Sequence, residues 1–210
     1  MKKVLLLSLL LPTLLFAQES EQYGFKLGPS IINLQSSISG QKINYNYNWR
    51  IGYQAGFTYK YNMSNGFTSF IVDAIYAQKG TKQGYLVQNG NYNIKLHYLN
   101  IPLLFAYTPS ESFNVYAGLE FGLLVKSQIN FQGQNINVDQ GFRTFELNPI
   151  VGFSYTMPSN VFLDARYSFG ILDIDEPVST NGTSQGVNAV KTVTQSFQFS
   201  IGYYFSRNEF

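Results

Sequence analysis

The single histidine of the 210-residue sequence, His97, is the side chain best suited to proton transfer near neutral pH. A histidine beside a serine or an acidic residue can support a hydrolase or an acyltransferase. The sequence contains no phosphate-binding loop and no histidine pair at metal-ligand spacing, and a lone histidine is more commonly a solvated residue. We therefore expect no catalytic residue, and a hydrolase that uses His97 on lipid or peptide remains the less favoured alternative.

Three carboxylates, Asp173, Asp175 and Glu176, lie close together in the C-terminal part of the chain. Oxygen ligands of this kind suit Ca²⁺ or Mg²⁺, which could bridge to lipid phosphates. Their spacing is not that of a known calcium motif, and charge runs in loops are usually just solvated. We therefore expect neither a metal site nor a cofactor.

Several other charged residues lie singly at the polar positions of segments that alternate polar and apolar residues. Opposite charges that share a narrow interior favour ion pairing, because an unpaired charge away from water is costly. The same charges around an open lumen would form a selectivity ring in a small channel. The residues expected to form a polar and ionic network are Lys26, Asp73, Glu120, Asp164 and Arg166.

Residues 51–61 show the kind of element that carries these charges. Their odd positions are apolar or aromatic, and their even positions are small or polar. A period of two predicts a β-strand with two unlike faces. At about 3.3 Å per residue, such a segment is long enough to cross a bilayer at a tilt.

The same alternation recurs along the chain and predicts eight strands. They cover approximately residues 23–28, 51–61, 67–78, 96–107, 113–125, 145–155, 161–172 and 193–205. The connections at 29–50, 79–95, 126–144 and 173–192 are long, and those at 62–66, 108–112 and 157–160 are short. An even strand count with long external loops and short periplasmic turns is typical of bacterial outer-membrane barrels. The predicted fold is all-β, an eight-stranded antiparallel up-and-down transmembrane β-barrel.

The aromatic content decides which face of the predicted barrel points outward. Charged residues make up 12% of the chain and aromatic residues 17%. An eight-stranded interior only just holds ordinary side chains, so small and polar residues fit inside and the aromatic faces fit against lipid. We expect the following residues to anchor the barrel at the membrane interfaces: Trp49, Tyr61, Tyr107, Tyr155, Tyr203 and Phe205.

The first 17 residues have the features of a secretory signal peptide. Lys2 and Lys3 precede an apolar run, and Ala17 offers a small residue for cleavage. The predicted domains are a signal peptide at 1–17 and a barrel at 18–210. Removing the two lysines from the 14 basic residues leaves 12, equal to the 12 acidic residues, so no basic excess points to nucleic acid. The absence of cysteine excludes disulfides and thiolate metal sites.

Several segments resemble the PorT-like or porin-family outer-membrane β-barrel domain of Gram-negative envelopes. They are residues 73–80 (DAIYAQKG), 98–104 (YLNIPLL), 116–119 (YAGL), 164–171 (DARYSFGI) and 200–205 (SIGYYF). The resemblance covers essentially the whole chain after the signal peptide, although Asn100 stands where the family usually has an acidic residue. It implies the fold and an outer-membrane location, and it implies little about activity. Either Phe205 or Phe210 could serve as the terminal aromatic signal for barrel assembly.

The function expected from these observations is a non-enzymatic outer-membrane barrel, either structural or accessory to an envelope or secretion complex. The alternative is a small passive channel, since eight strands leave little free lumen. The expected partners are outer-membrane lipid and lipopolysaccharide, an envelope protein, and the barrel-assembly machinery during insertion.

Overall fold

A computed structural model describes residues 21–38, 41–43, 47–83, 92–110, 112–131, 134–137, 142–174 and 190–205. Eight long strands and three short ones form one antiparallel sheet in this part of the chain. The long strands are β1 (Glu21–Ile38), β4 (Arg50–Asn62), β5 (Thr68–Gln83), β6 (Tyr92–Ser110), β7 (Phe113–Phe131), β9 (Phe145–Thr156), β10 (Val161–Phe169) and β11 (Val190–Tyr204). The short strands are β2 (Gln41–Ile43), β3 (Tyr47–Asn48) and β8 (Gln134–Asn137).

The long strands pair in chain order, and the last one returns to the first. β1 pairs with β4 on one side and with β11 on the other, from Gly24 opposite Tyr204 to Ile38 opposite Val190. Beyond this seam, the N–H of Phe205 donates to the carbonyl oxygen of Tyr23 at 2.6 Å. The sheet is therefore closed, and the predicted eight-stranded up-and-down barrel is confirmed.

Several strands are longer at one end than the sequence predicts, whereas β10 ends there at Phe169 and not at residue 172. β1 was expected to end near residue 28, but it continues to Ile38 because its backbone stays paired with β11. β6 and β7 each contain 19 residues, whereas about 9–11 are enough to cross a bilayer. Parts of the expected loops at 29–50, 79–95, 126–144 and 173–192 are therefore strand. The additional paired residues lie at the end of the barrel with the long connections, which we call the external end.

The short connections lie at the opposite, periplasmic end. In the turn between β4 and β5, Gly66 has a φ of +72°, which a glycine adopts without strain. The φ of the preceding residue, Asn65, is not positive, and its side-chain oxygen accepts hydrogen bonds from the N–H groups of Phe67 and Thr68, both at 3.0 Å.

The two faces of the sheet differ as the alternation predicts. The odd residues of β4 point outward, with Ile51 75% and Phe57 70% exposed, whereas Gln54 and Lys60 are buried inside. The described part of the barrel therefore has an apolar exterior and many buried charged side chains, such as Lys26, Asp73 and Glu120. Among the described residues, no helix is long and apolar enough to cross a membrane.

Candidate functional site

Four charged side chains meet inside the barrel and form what we call the central cluster. It consists of Lys26 on β1, Asp73 on β5, and Asp164 and Arg166 on β10. The Asp73 carboxylate lies 2.6 Å from both the Lys26 ammonium and the Arg166 guanidinium. Arg166 Nε is 2.7 Å from Asp164, and Lys26 is 3.8 Å from the same carboxylate. Two cations and two anions thus balance one another across the lumen.

Tyr116 on β7 completes the central cluster. Its hydroxyl donates to Asp164 at 2.5 Å and accepts a hydrogen bond from Arg166 Nε at 2.9 Å. The guanidinium of Arg166 also lies 5.1 Å from the centre of the Tyr116 ring, within range of a cation–π interaction. The inward position of Tyr116 follows from the alternation of β7, but the sequence does not show that its hydroxyl joins an ion-paired group.

A second group, the external cluster, lies nearer the long connections. The Lys79 ammonium of β5 contacts both Glu120 on β7, at 3.0 Å, and Glu146 on β9. The side-chain amide of Asn148 donates to the same two carboxylates, at 3.0 Å and 2.6 Å. All four side chains are buried. This cluster contains one cation and two carboxylates.

The single network expected from the sequence is therefore divided into two. Lys26, Asp73, Asp164 and Arg166 lie in the central cluster, whereas Glu120 lies in the external cluster. Lys79 was missed because it was assigned to a loop, although β5 continues to Gln83. Glu146 could have been found, since it precedes Asn148 by two residues on the inward face of β9.

Apolar side chains fill much of the remaining interior. One apolar group comprises Ile71, Leu104, Ala106, Tyr116 and Ile150. A second group, near the external end, comprises Leu34, Leu96, Tyr98 and Ile174. Besides the small and polar residues expected inside, the interior holds four large aromatic side chains that the sequence analysis did not place there: Tyr98, Tyr116, Phe162 and Tyr204. Large side chains fit inside because facing glycines such as Gly152, which Tyr116 contacts, leave room for them.

The alternation places His97 on the outward face of β6, two residues from the exposed Leu99 towards the external end, but its side chain is only 7% exposed. Its Nδ1 is 2.7 Å from the hydroxyl of Tyr76, another outward residue. Burial, followed by the charges of Lys126, Arg50 and Lys95, lowers the pKa of the His97 imidazole below its usual value. The imidazole is therefore held against the outer surface rather than among the carboxylates of the lumen.

The acidic segment is described only in part. The Asp173 carboxylate accepts a hydrogen bond from the Thr192 N–H at 3.0 Å, which ties this segment to β11. Asp175 and Glu176 lie outside the described residues. Within the described ranges, no group of three or more histidine, aspartate or glutamate side chains could hold a metal ion.

The expected interface aromatics all lie on the outer surface and are exposed. Trp49 lies next to the external end of β4 and its ring contacts Phe197 at 6.0 Å between centroids. The others lie towards the periplasmic ends of their strands: Tyr61, Tyr107, Tyr155, Tyr203 and Phe205. Phe205 packs against Phe25 with ring centroids 5.7 Å apart. Phe210 and the predicted signal peptide lie outside the described residues.

The closed sheet and its outward apolar face agree with comparisons with known proteins. The model of the family described as "Outer membrane protein beta-barrel domain" matches residues 16–176. The chain belongs to this outer-membrane β-barrel family. The match ends before β11, the strand that closes the sheet against β1.

Two solved structures illustrate the shared fold. Neisserial surface protein A is 16% identical with a TM-score of 0.51, and the alignment covers 86% of this chain and 97% of that one. Ail, the attachment invasion locus protein of Yersinia pestis, is 15% identical with a TM-score of 0.50, and 89% of this chain and 99% of that chain are covered. At this identity the similarity shows the fold alone. No curated protein matches the chain.

The family and the fold together give the location of the protein. It is an outer-membrane β-barrel protein, as the alternation of its strands predicts.

Proposed function

We propose that this protein is a non-enzymatic barrel with a filled lumen, which serves as a structural or accessory component of an envelope complex. The observation that supports this proposal is the packing of the interior. Arg166 and Glu120 are 4% and 0% exposed, and each is ion-paired to residues on other strands. Ion pairs that reach across the lumen stabilise one closed arrangement.

A passive channel is the alternative, and bilayer conductance distinguishes the two. We expect purified protein in a planar bilayer to show no stepwise ion conductance above that of an empty bilayer. A variant with Arg166→Ala and Asp73→Ala, which removes two central side chains, provides the matched comparison. Reproducible single-channel steps in the unmodified protein would show an open lumen and would overturn the filled-barrel proposal.

The position of His97 weighs against the third possibility, a hydrolase at the outer surface. Its imidazole is hydrogen-bonded to the outward-facing phenol of Tyr76 and not to an acidic residue. Residues 182–186 (GTSQG) have the spacing of a serine nucleophile elbow, but they lie outside the described residues, and the match alone assigns no role. We expect His97→Ala to leave any lipid- or peptide-hydrolysing activity of the purified protein unchanged, and loss of such an activity would support the enzyme.

The extended strands at the external end support the accessory role. They continue the sheet beyond the length that a bilayer requires, and an apolar group around Leu96 and Tyr98 packs inside this extension. A packed extension provides a firm surface for a partner protein. The resemblance of residues 98–104 (YLNIPLL) to PorT-like barrels also favours an envelope or secretion complex.

Affinity purification from outer membranes tests the partner. A tag is inserted between residues 84 and 91 in one version and between residues 178 and 186 in another, so that each leaves a different connection free. We expect the same envelope protein to be recovered in stoichiometric amount with at least one version. Recovery of the barrel alone from both versions, under mild detergent, would contradict the accessory role.

A further inference from the structure

A β-bulge on the outer surface of β7 changes the direction of one lysine. Tyr98 of β6 pairs with Leu124, but the next residue, His97, pairs with Lys126, so Val125 is an extra residue. Without this bulge, the alternation through Gly122 and Leu124 would point Lys126 into the lumen. With the bulge, Val125 and Lys126 are both exposed, and Ser127 is buried instead. Bulges of this kind commonly re-aim a side chain at a functional position.

The re-aimed lysine joins other basic residues, which together form what we call the basic patch. His97 lies directly opposite Lys126 across the β6–β7 pair, and Lys95 precedes His97 by two residues on the same face. Arg50 lies nearby but is buried, and its guanidinium donates to the Ile94 carbonyl oxygen at 2.6 Å and to the Gln78 side chain at 3.2 Å. In the described part of the chain, no carboxylate forms an ion pair with Lys95, His97 or Lys126.

The basic patch begins where the exposed apolar residues of β6 and β7 end, although Ile136 on β8 is exposed further out. Leu99 on β6 and Leu123 on β7 are exposed apolar residues, and Val125 is the last one on its strand in the described region. Lys126 follows immediately towards the external end. We expect basic side chains at this edge of the apolar face to lie level with the headgroups of the outer leaflet, where their charge remains hydrated or meets a lipid phosphate.

We propose that the basic patch binds a phosphate group on a lipid of the outer leaflet. Lys95 pairs with Gln128, so Lys126 is its diagonal neighbour across the two strands, and the two like charges are expected to destabilise the hairpin unless an anion lies between them. A phosphate supplies that charge and accepts hydrogen bonds from both lysines. The hydrogen bond between the Tyr76 hydroxyl and Nδ1 of His97 holds the imidazole in place beside Lys126.

The test compares lipid binding by a patch variant and a control variant with the same change in charge. Lys126→Gln removes one charge from the patch. Lys191→Gln removes one exposed charge from β11, which pairs with neither β6 nor β7. The probes are bis-phosphorylated lipid A, chemically dephosphorylated lipid A and inorganic phosphate, and binding to the full-length barrel in detergent is measured by native mass spectrometry.

We expect the unmodified protein and the control variant to bind bis-phosphorylated lipid A at least about tenfold more tightly than the dephosphorylated form, as one charge-assisted hydrogen bond provides. The patch variant should lose this preference. Equal loss in both variants would show general charge attraction and would overturn the site. Inorganic phosphate that displaces lipid A at equal concentration would also overturn it, because the site would then bind the free anion. Unchanged gel mobility of folded protein confirms that both variants fold.

Discussion

Replacing Arg166 by methionine should destabilise the barrel strongly, because it upsets the charge balance of the central cluster. The guanidinium lies 2.6 Å from Asp73 and 2.7 Å from Asp164, and both carboxylates are buried. After the change, Lys26 still pairs with Asp73 at 2.6 Å but lies 3.8 Å from Asp164. One negative charge then lacks a close cation. Removing one partner of a buried ion pair costs about 3–5 kcal/mol, and we expect a loss of this size in the free energy of unfolding.

A second substitution separates the effect of charge from the effect of lost packing. In Arg166→Met/Asp164→Asn, one cation and one anion are both removed, and the cluster is neutral again. We expect the double variant to be more stable than the single variant by about 2 kcal/mol, within the range of coupling energies for contacting residues. Arg166→Lys serves as a control that keeps the charge but loses the forked hydrogen bonds of the guanidinium. Its free energy of unfolding should lie between those of the unmodified protein and Arg166→Met.

The assay is denaturant unfolding of the barrel in lipid vesicles, followed by tryptophan fluorescence. Trp49 is the only tryptophan of the chain and lies exposed on the outer surface, so its emission reports removal from the membrane. The comparison requires a reversible two-state transition, which is checked by coincident unfolding and refolding curves. If the double variant is as unstable as Arg166→Met or less stable, charge balance is not what holds the central cluster together.

Three shorter predictions follow from the same geometry. Lys79→Met leaves the buried carboxylates of Glu120 and Glu146 without a cation, whereas Glu146→Gln leaves the Lys79–Glu120 ion pair intact. In denaturant titrations, Lys79→Met should therefore lower the free energy of unfolding by at least about 2 kcal/mol more than Glu146→Gln does. A larger loss for Glu146→Gln would contradict this prediction. The side chain of Gly28→Val would clash with the backbone of β11, so this variant should not give the gel band of the folded barrel. The added methyl group of Gly66→Ala meets no neighbouring atom, so this variant should fold and lose only about 1 kcal/mol of stability through backbone strain. The fluorescence of Trp49 should be quenched more by quenchers near the lipid headgroup than by quenchers at the bilayer centre. The opposite order would show that Trp49 does not lie at the membrane interface.

The sequence predicts the barrel well where one face of a strand meets lipid, because a period of two is then visible. Residues 51–61 are the clearest example, and the exposure of their odd positions follows the pattern. Prediction fails where both faces meet water or protein. Gln35 and Ser36 carry no apolar alternation, yet their backbone pairs with Val193 and Thr192.

The site was predictable in its residue types but not in its connections. Alternation shows that Glu120 and Asp164 point inward, but it does not show which cation crosses the lumen to each of them. The bulge at Val125 is a second case, because the sequence there continues without a turn residue and the change of direction is set by pairing with β6. Such shifts depend on contacts between distant residues, which one strand does not reveal.

The hydrogen bond from the Phe205 N–H to the Tyr23 carbonyl oxygen has a consequence for how the polypeptide can be rearranged. The first and last strands are neighbours, so the ends of the described barrel could be joined by a short linker on the periplasmic side. New ends could then be opened at the turn around Gly66, where an added Cβ would meet no atom within 4 Å. Such a circular permutant would keep every pair of strands while moving the seam from β1–β11 to β4–β5. The order in which the strands are synthesised would change, and the finished sheet would not.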